Sequence, residues 1–129
     1  MTGKSVSDIA VLATDSKPLA IGLTALLLSI PPVEEVHVVE SVEELLGRVA
    51  DLRPSLILFD TAIAGYQPAQ ALAEVRLSAP DTPVVILCGN MDEYRTLLAG
   101  GEDPVIMKGT EPGQLARMVE SLLQDRVAA

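Results

Sequence analysis

Aromatic side chains are almost missing from this chain: Phe59, Tyr66 and Tyr94 are the only three in 129 residues, and there is no tryptophan. A surface that stacks nucleobases is thereby excluded. With 49% apolar residues, the core must be built from Leu, Val, Ile and Ala, which suits a sheet covered by helices. Basic residues are scarce as well. Nine Lys and Arg face eighteen Asp and Glu, for a net charge of −9, and no Lys/Arg stripe is present to displace counterions from phosphates. Direct nucleic-acid binding by this chain is not expected. The single cysteine, Cys88, cannot form an internal disulfide. The Met1-Thr-Gly-Lys-Ser5 start is not followed by a signal-like apolar stretch, so the expected setting is a reducing cytoplasm. The longest uncharged stretch, Pro18 to Val33, falls short of the roughly 20 residues that span a bilayer and reads as a buried helix, not a membrane anchor.

What is present is a regular alternation of apolar runs and amphipathic segments, read as one domain over residues 1–129 with its core at about 8–124. Ile9 to Ala13 is a first strand. Leu19, Leu23, Leu26, Leu27 and Ile30 then share a helical face until Pro31-Pro32, and Val36 to Val39 forms a short second strand. Ser41 with Glu44, and Asn90 with Glu93, have the capping-box spacing that starts a helix. Leu56 to Phe59 lacks period-two alternation, the mark of a strand buried on both faces. A third helix runs from Pro68 with Ala71, Leu72, Val75 and Leu77 as its apolar stripe, and Val84 to Leu87 is a fourth strand. Gly100-Gly101 ends the fourth helix, Val105 to Met107 is the fifth strand, and Leu115, Met118, Val119, Leu122 and Leu123 line a last helix. On that helix Arg117, Glu120, Gln124 and Asp125 take the polar face. Five βα units with right-handed crossovers predict an α/β, doubly wound, flavodoxin-like parallel sheet of strand order 2-1-3-4-5 flanked by five helices.

Three of the apolar runs end on charge: Asp15, Asp60 and Lys108. In open α/β sheets ligands collect beyond the carboxyl ends of the strands, so these three side chains are expected to converge there. His37 has no second ligand at metal-binding spacing and reads as an ordinary surface histidine. Thr14 and Ser16 lack the glycines that a phosphate loop requires.

The segments Val-Leu-Ala-Thr-Asp15-Ser-Lys-Pro-Leu, Arg-Pro-Ser-Leu-Ile-Leu-Phe-Asp60 and Met-Lys108, the last followed by Glu-Pro-Gly-Gln-Leu115, together resemble the receiver domain of bacterial two-component response regulators, closest to the NarL-type branch. The resemblance implies that Asp60 accepts a phosphoryl group from a histidine kinase. It further implies that magnesium sits on Asp15, Asp60 and the Ala62 carbonyl, and that Lys108 contacts the phosphoryl oxygens. A carboxylate attacks phosphorus only when cations offset the charge on the equatorial oxygens, which is why metal and lysine flank the acceptor.

Against that pattern, Ser16 stands for the second acidic residue, Cys88 for the switch Thr or Ser, Val105 for the switch aromatic and Ala64 for a proline. A site missing one carboxylate holds magnesium weakly. The expectation is an atypical receiver with impaired or absent phosphorylation. It acts in signal transduction and transcription regulation by dimerising through helix 4, strand 5 and helix 5, or by docking a partner or output domain outside this chain. No catalysis on a separate small molecule is expected, and at most a slow hydrolysis of its own aspartyl phosphate. The alternatives are a magnesium-dependent phospho-acceptor at Asp60 and a small-ligand sensor at the strand-end crevice.

Overall fold

The computed structural model describes residues 8–128 apart from Pro32, Tyr66 and Glu102, and for residues 125–128 the backbone alone; Asp125, expected on a polar face, and the 1–7 start therefore lie outside the described side chains. Elements alternate as β1 (Asp8–Ala13), α1 (Lys17–Leu28), β2 (Val33–Val39), α2 (Val42–Leu52), β3 (Leu56–Asp60), α3 (Pro68–Ser78), β4 (Val84–Cys88), α4 (Met91–Gly100), β5 (Val105–Met107) and α5 (Pro112–Ala128). All strands pair in parallel, in the order β2-β1-β3-β4-β5. This is the doubly wound, flavodoxin-like topology that the βα repeat predicts. No helix among the described residues is long and apolar enough to cross a membrane.

The central strand β3 is buried at every position, as its unbroken apolar run requires. Because successive side chains point to opposite faces, the sheet divides the core in two. Val11, Ala13, Ile57, Phe59, Ile86 and Cys88 pack toward α2, α3 and α4. Ala10, Leu12, Leu58, Leu87 and Ile106 pack toward α1 and α5.

The helix starts obey their caps. Ser41 Oγ accepts the Glu44 N–H at 3.1 Å and Asn90 Oδ1 accepts the Glu93 N–H at 2.8 Å. In both cases the glutamate reaches one residue beyond the cap, to the Glu40 and Gly89 N–H groups.

Three expectations need correction. The helix between Pro18 and Val33 is not buried all round: Leu23 and Leu27 face the sheet, while Ile21 and Leu28 stay exposed because α1 is covered on one side only. Strand β2 begins at Val33, not Val36, because the pairing with β1 extends back to Asp8↔Val33 through an irregularity after Asp8. Leu77 is 84% exposed and does not belong to the α3 stripe. It lies two residues past the buried Val75, about 200° around the helix from it.

Helix α2 ends on Arg53 in the left-handed region (φ 48°), a conformation that costs a residue with a Cβ about 1–2 kcal/mol. Arg53→Gly is expected to stabilise the fold by about 1 kcal/mol, read as a higher urea midpoint with an unchanged m-value.

Candidate functional site

Register builds the site. Ala13 pairs with Phe59 across β1 and β3, so the next residues, Thr14 and Asp60, stand side by side at the carboxyl edge. Asp60 in turn pairs with Leu87 of β4, and Leu87 with Ile106 of β5, which sets Lys108 two residues further along on the same face. Thr14, Asp60 and Lys108 thus share one parity and one side of the sheet, the side facing α1 and α5.

The Asp60 carboxylate has no solvent exposure. Its Oδ1 accepts from Lys108 Nζ at 2.6 Å and from the Ala62 N–H at 2.9 Å, and its Oδ2 accepts from the Thr14 hydroxyl at 2.7 Å. Asp60 also caps the 3-10 turn Thr61–Ala64, which ends at Gly65 (φ 64°, ψ −125°), a backbone conformation open essentially to glycine. Lys108 is held from its main chain, its N–H donating to the Cys88 carbonyl at 2.9 Å, while its side chain stays about one-third exposed. A buried charge is tolerated when it is both paired and hydrogen-bonded, and here it is both.

Of the three charges expected to meet, the structure brings Asp60 and Lys108 together and leaves Asp15 exposed, on the opposite parity from Asp60. Ser16 is spent on the backbone. Its Oγ caps α1 by accepting the Leu19 N–H at 3.3 Å, and its own N–H donates to Thr14 Oγ1 at 3.1 Å. The neutral hydroxyl that faces Asp60 therefore belongs to Thr14. The Ala62 N–H donates to Asp60, and its carbonyl, the atom expected at a metal, takes no part in that bond. Among the described residues no three His, Cys, Asp or Glu side chains cluster as a metal ion requires.

Cys88 and Val105 are buried. The Cys88 thiol packs on the α4 side with its Sγ 3.8 Å from Met107 Sδ, and burial, reinforced by the nearby Glu93 carboxylate, pushes its pKa above the ordinary 9.0. Sequence reasoning passed over two residues that the structure makes central. Thr14 was set aside for want of glycines, yet counting alternate residues along Leu12, Thr14 and Leu58, Asp60 pairs it with Asp60. Glu93 was read only as a capping residue. Its Oε1 also accepts from the buried Thr61 hydroxyl at 2.8 Å and so ties the start of α4 to the turn beside Asp60.

No protein-family model matches the chain, and no curated protein sequence does. Solved structures do. The response regulator receiver domain protein (CheY-like) from Methanospirillum hungatei JF-1 superposes with a TM-score of 0.81 at 18% identity, over 95% of this chain and 98% of that one. The signal receiver domain of a DNA-binding response regulator from Colwellia psychrerythraea 34H gives 0.79 at 15% identity, over 92% and 99%. A LuxR-family DNA-binding response regulator from Staphylococcus aureus gives 0.76 at 14%, over 90% and 98%. The chain has the receiver fold, and Asp60 and Lys108 occupy its strand-end crevice.

Removing the lysine strands a buried charge. Lys108→Met is expected to destabilise the fold by about 3 kcal/mol in urea unfolding, and Asp60→Asn in the same chain to recover most of that loss, since the pair and not either residue carries the penalty. For Cys88 the raised pKa means that the unfolded chain loses this proton first. Above about pH 9 the thiol therefore subtracts stability, an effect that a melting series from pH 8 to pH 10 checks by its absence in Cys88→Ala.

Proposed function

We propose that this chain is a receiver domain of a bacterial response regulator in signal transduction, of an atypical kind. Its Asp60 site is held closed by its own residues, and it works by contact with other proteins. Phosphorylation is impaired or absent, and no separate small molecule is a substrate. One observation carries this reading: both oxygens of the buried Asp60 are already engaged, by Lys108, the Ala62 N–H and the Thr14 hydroxyl. Three of the four acceptor sites of the carboxylate are thereby occupied, and a carboxylate that is to attack phosphorus needs cations aimed at the transferring group. Lys108 is the one cation at Asp60 among the described residues, and its charge is consumed in the resting pair.

The donor set does not fit a resident magnesium ion. Such an ion needs several oxygen ligands and gains most from carboxylates, and the neighbour facing Asp60 is a neutral hydroxyl that donates its proton to the carboxylate and brings no charge. No step of the proposed function runs through a metal. A sensor histidine kinase and an output domain or partner protein are the natural partners of such a module, and transcription regulation its natural output. With no membrane-crossing helix described and a net charge of −9, neither membrane nor nucleic acid is a partner in this reading. The α4-β5-α5 face exposes Met91 and Leu98 beside Asp92, Arg95, Arg117 and Glu120, a mixed surface suited to a docked protein.

The acceptor site left on Asp60 Oδ2 favours one rival reading, a slow phospho-acceptor, and a single experiment separates the two. The chain is incubated with magnesium and acetyl phosphate, or with beryllofluoride, and followed by intact mass and backbone amide shifts. The expected result is no adduct and no saturating shift near Asp60. A stable adduct that disappears in Asp60→Asn overturns the reading.

In this reading Thr14 is the residue that withholds the metal. Thr14→Asp places a second carboxylate against Asp60 and is expected to lower stability in metal-free buffer and to regain it with magnesium. Ser16→Asp, whose side chain belongs to the α1 cap, gains no magnesium dependence, and thermal melts with and without the ion check both.

A further inference from the structure

Helix α1 is apolar on nearly every side. From Lys17 to Val33 the only charge is Lys17 itself, in a chain that carries eighteen carboxylates elsewhere. The helix buries Leu23 and Leu27 inward, yet its outward positions are also uncharged: Pro18, Ile21, Gly22, Ala25 and Leu28 all face solvent. Ile21 is 73% exposed and Leu28 48%, and Val38 of the edge strand β2 lies beside them at 37%. A helix apolar all round is one that something covers.

We infer that a second copy of this chain covers it, by antiparallel packing of α1 on α1 about a two-fold axis near Gly22 and Ala25. This inference does not depend on whether Asp60 accepts phosphate. Three features of the helix select that occupant.

The first is self-complementarity. Pro18, Gly22, Ala25 and Ser29 recur at steps of four, three and four, a narrow seam of small residues along the exposed ridge. Ile21 and Leu28 flank the seam on one side, Leu19 and Leu26 on the other. An antiparallel pair sets like flank against like, so Ile21 of one copy meets Leu28 of the other, and Leu19 meets Leu26. The small seam lets the axes approach within the 8–10 Å or so of packed helices. The Leu19 and Leu26 flank borders an apolar cleft of about 260 Å³ between α1 and α5, which leaves room for the facing side chains.

The second is charge. Two chains of net charge −9 repel, and least where their acidic groups are absent. Helix α1 has no acidic residue in its first turn and no basic residue in its last, so its own dipole is left without charged partners. In the antiparallel arrangement each Lys17 stands beside the carboxyl end of the other copy's α1, the place where a cation is favoured. An anionic membrane or a polyanion meets the same net charge with only Lys17 to offset it.

The third is size. Twelve residues make a helix of about 18 Å, and the two flanks with Val38 bring the buried surface to on the order of 1,000 Å² in all, the lower bound for a specific interface. An interface of this size belongs with weak, reversible contacts.

Sedimentation of the full chain from low micromolar to submillimolar concentration tests this, with circular dichroism and thermal melts confirming that each variant is folded. The expected result is reversible dimerisation that Ile21→Glu weakens by about tenfold or more, because the pairing would bury an unpartnered carboxylate. Gly22→Leu is the sharper variant. A Cβ at Gly22 meets nothing within 4 Å in the monomer, so the fold tolerates it, and the substitution adds apolar surface while filling the seam. Seam packing predicts a weaker dimer. Ala25→Cys is expected to give a disulfide-linked dimer on mild oxidation, and Arg95→Glu on α4 to leave association unchanged. A chain that stays monomeric at the highest concentration overturns the inference, as does a dimer that survives Ile21→Glu, is strengthened by Gly22→Leu, or is lost in Arg95→Glu.

Discussion

A carboxylate with no solvent exposure at the end of the central strand sets the terms for the rest of this structure. Left alone, the Asp60 charge would cost several kcal/mol, and the compensation comes from separate places: Lys108 past β5, Thr14 past β1 and the Ala62 N–H in the turn after β3. Each donor arrives correctly only if its strand is in register. A slip of one residue in β1 or β5 would turn Thr14 or Lys108 to the other face of the sheet. The polar cluster is thus a register lock for four neighbouring strands, a role in which buried ionic groups contribute to specificity more than to net stability.

The two faces of the sheet edge carry different work. Toward α1 and α5 lie the paired charges. Toward α4 lie Cys88, Val105 and Thr61, the last hydrogen-bonded to Glu93, which also holds the Gly89 N–H just before the α4 cap. A receiver that signals covalently needs a group at Asp60 whose arrival is felt by mobile neighbours. Here the α4 side of the sheet edge offers a thiol packed against a methionine and a threonine already bonded to a glutamate. In the proposed reading such a site holds one conformation, and signalling passes to the surface. The uncharged ridge of α1 and the mixed α4-β5-α5 face are two such surfaces, and their chemistries differ enough to serve different partners.

Much of this was legible in the linear chain. The unbroken run from Leu56 to Asp60 announced a strand buried on both faces, Ser41 with Glu44 and Asn90 with Glu93 announced two helix starts, and Gly100-Gly101 and Pro31 announced helix ends, because these signals act over three or four residues. Legibility failed where the deciding partner was distant. Val33 joins β2 because Asp8 of the neighbouring strand is there to pair with it; Leu77 is the local exception, since it lies about 200° around its own helix from Val75. Thr14 and Ser16 are both small hydroxyl residues beside Asp15. Only the register against Phe59 and Asp60 shows that one faces the carboxylate and the other caps a helix.

The order of elements, the parallel sheet and the identity of Asp60 and Lys108 as strand-end charges were determined by the sequence itself, through hydrophobic periodicity and the handedness of crossovers. The tertiary structure alone decided that Thr14 completes the Asp60 site, that Asp15 stays in solvent, that Glu93 joins α4 to the turn, and which face of the uncharged α1 is left in water. The reason is geometric. Periodicity says which side of its own element a residue takes, but the neighbour it meets there is fixed by strand register and helix docking, which depend on pairs of residues tens of positions apart.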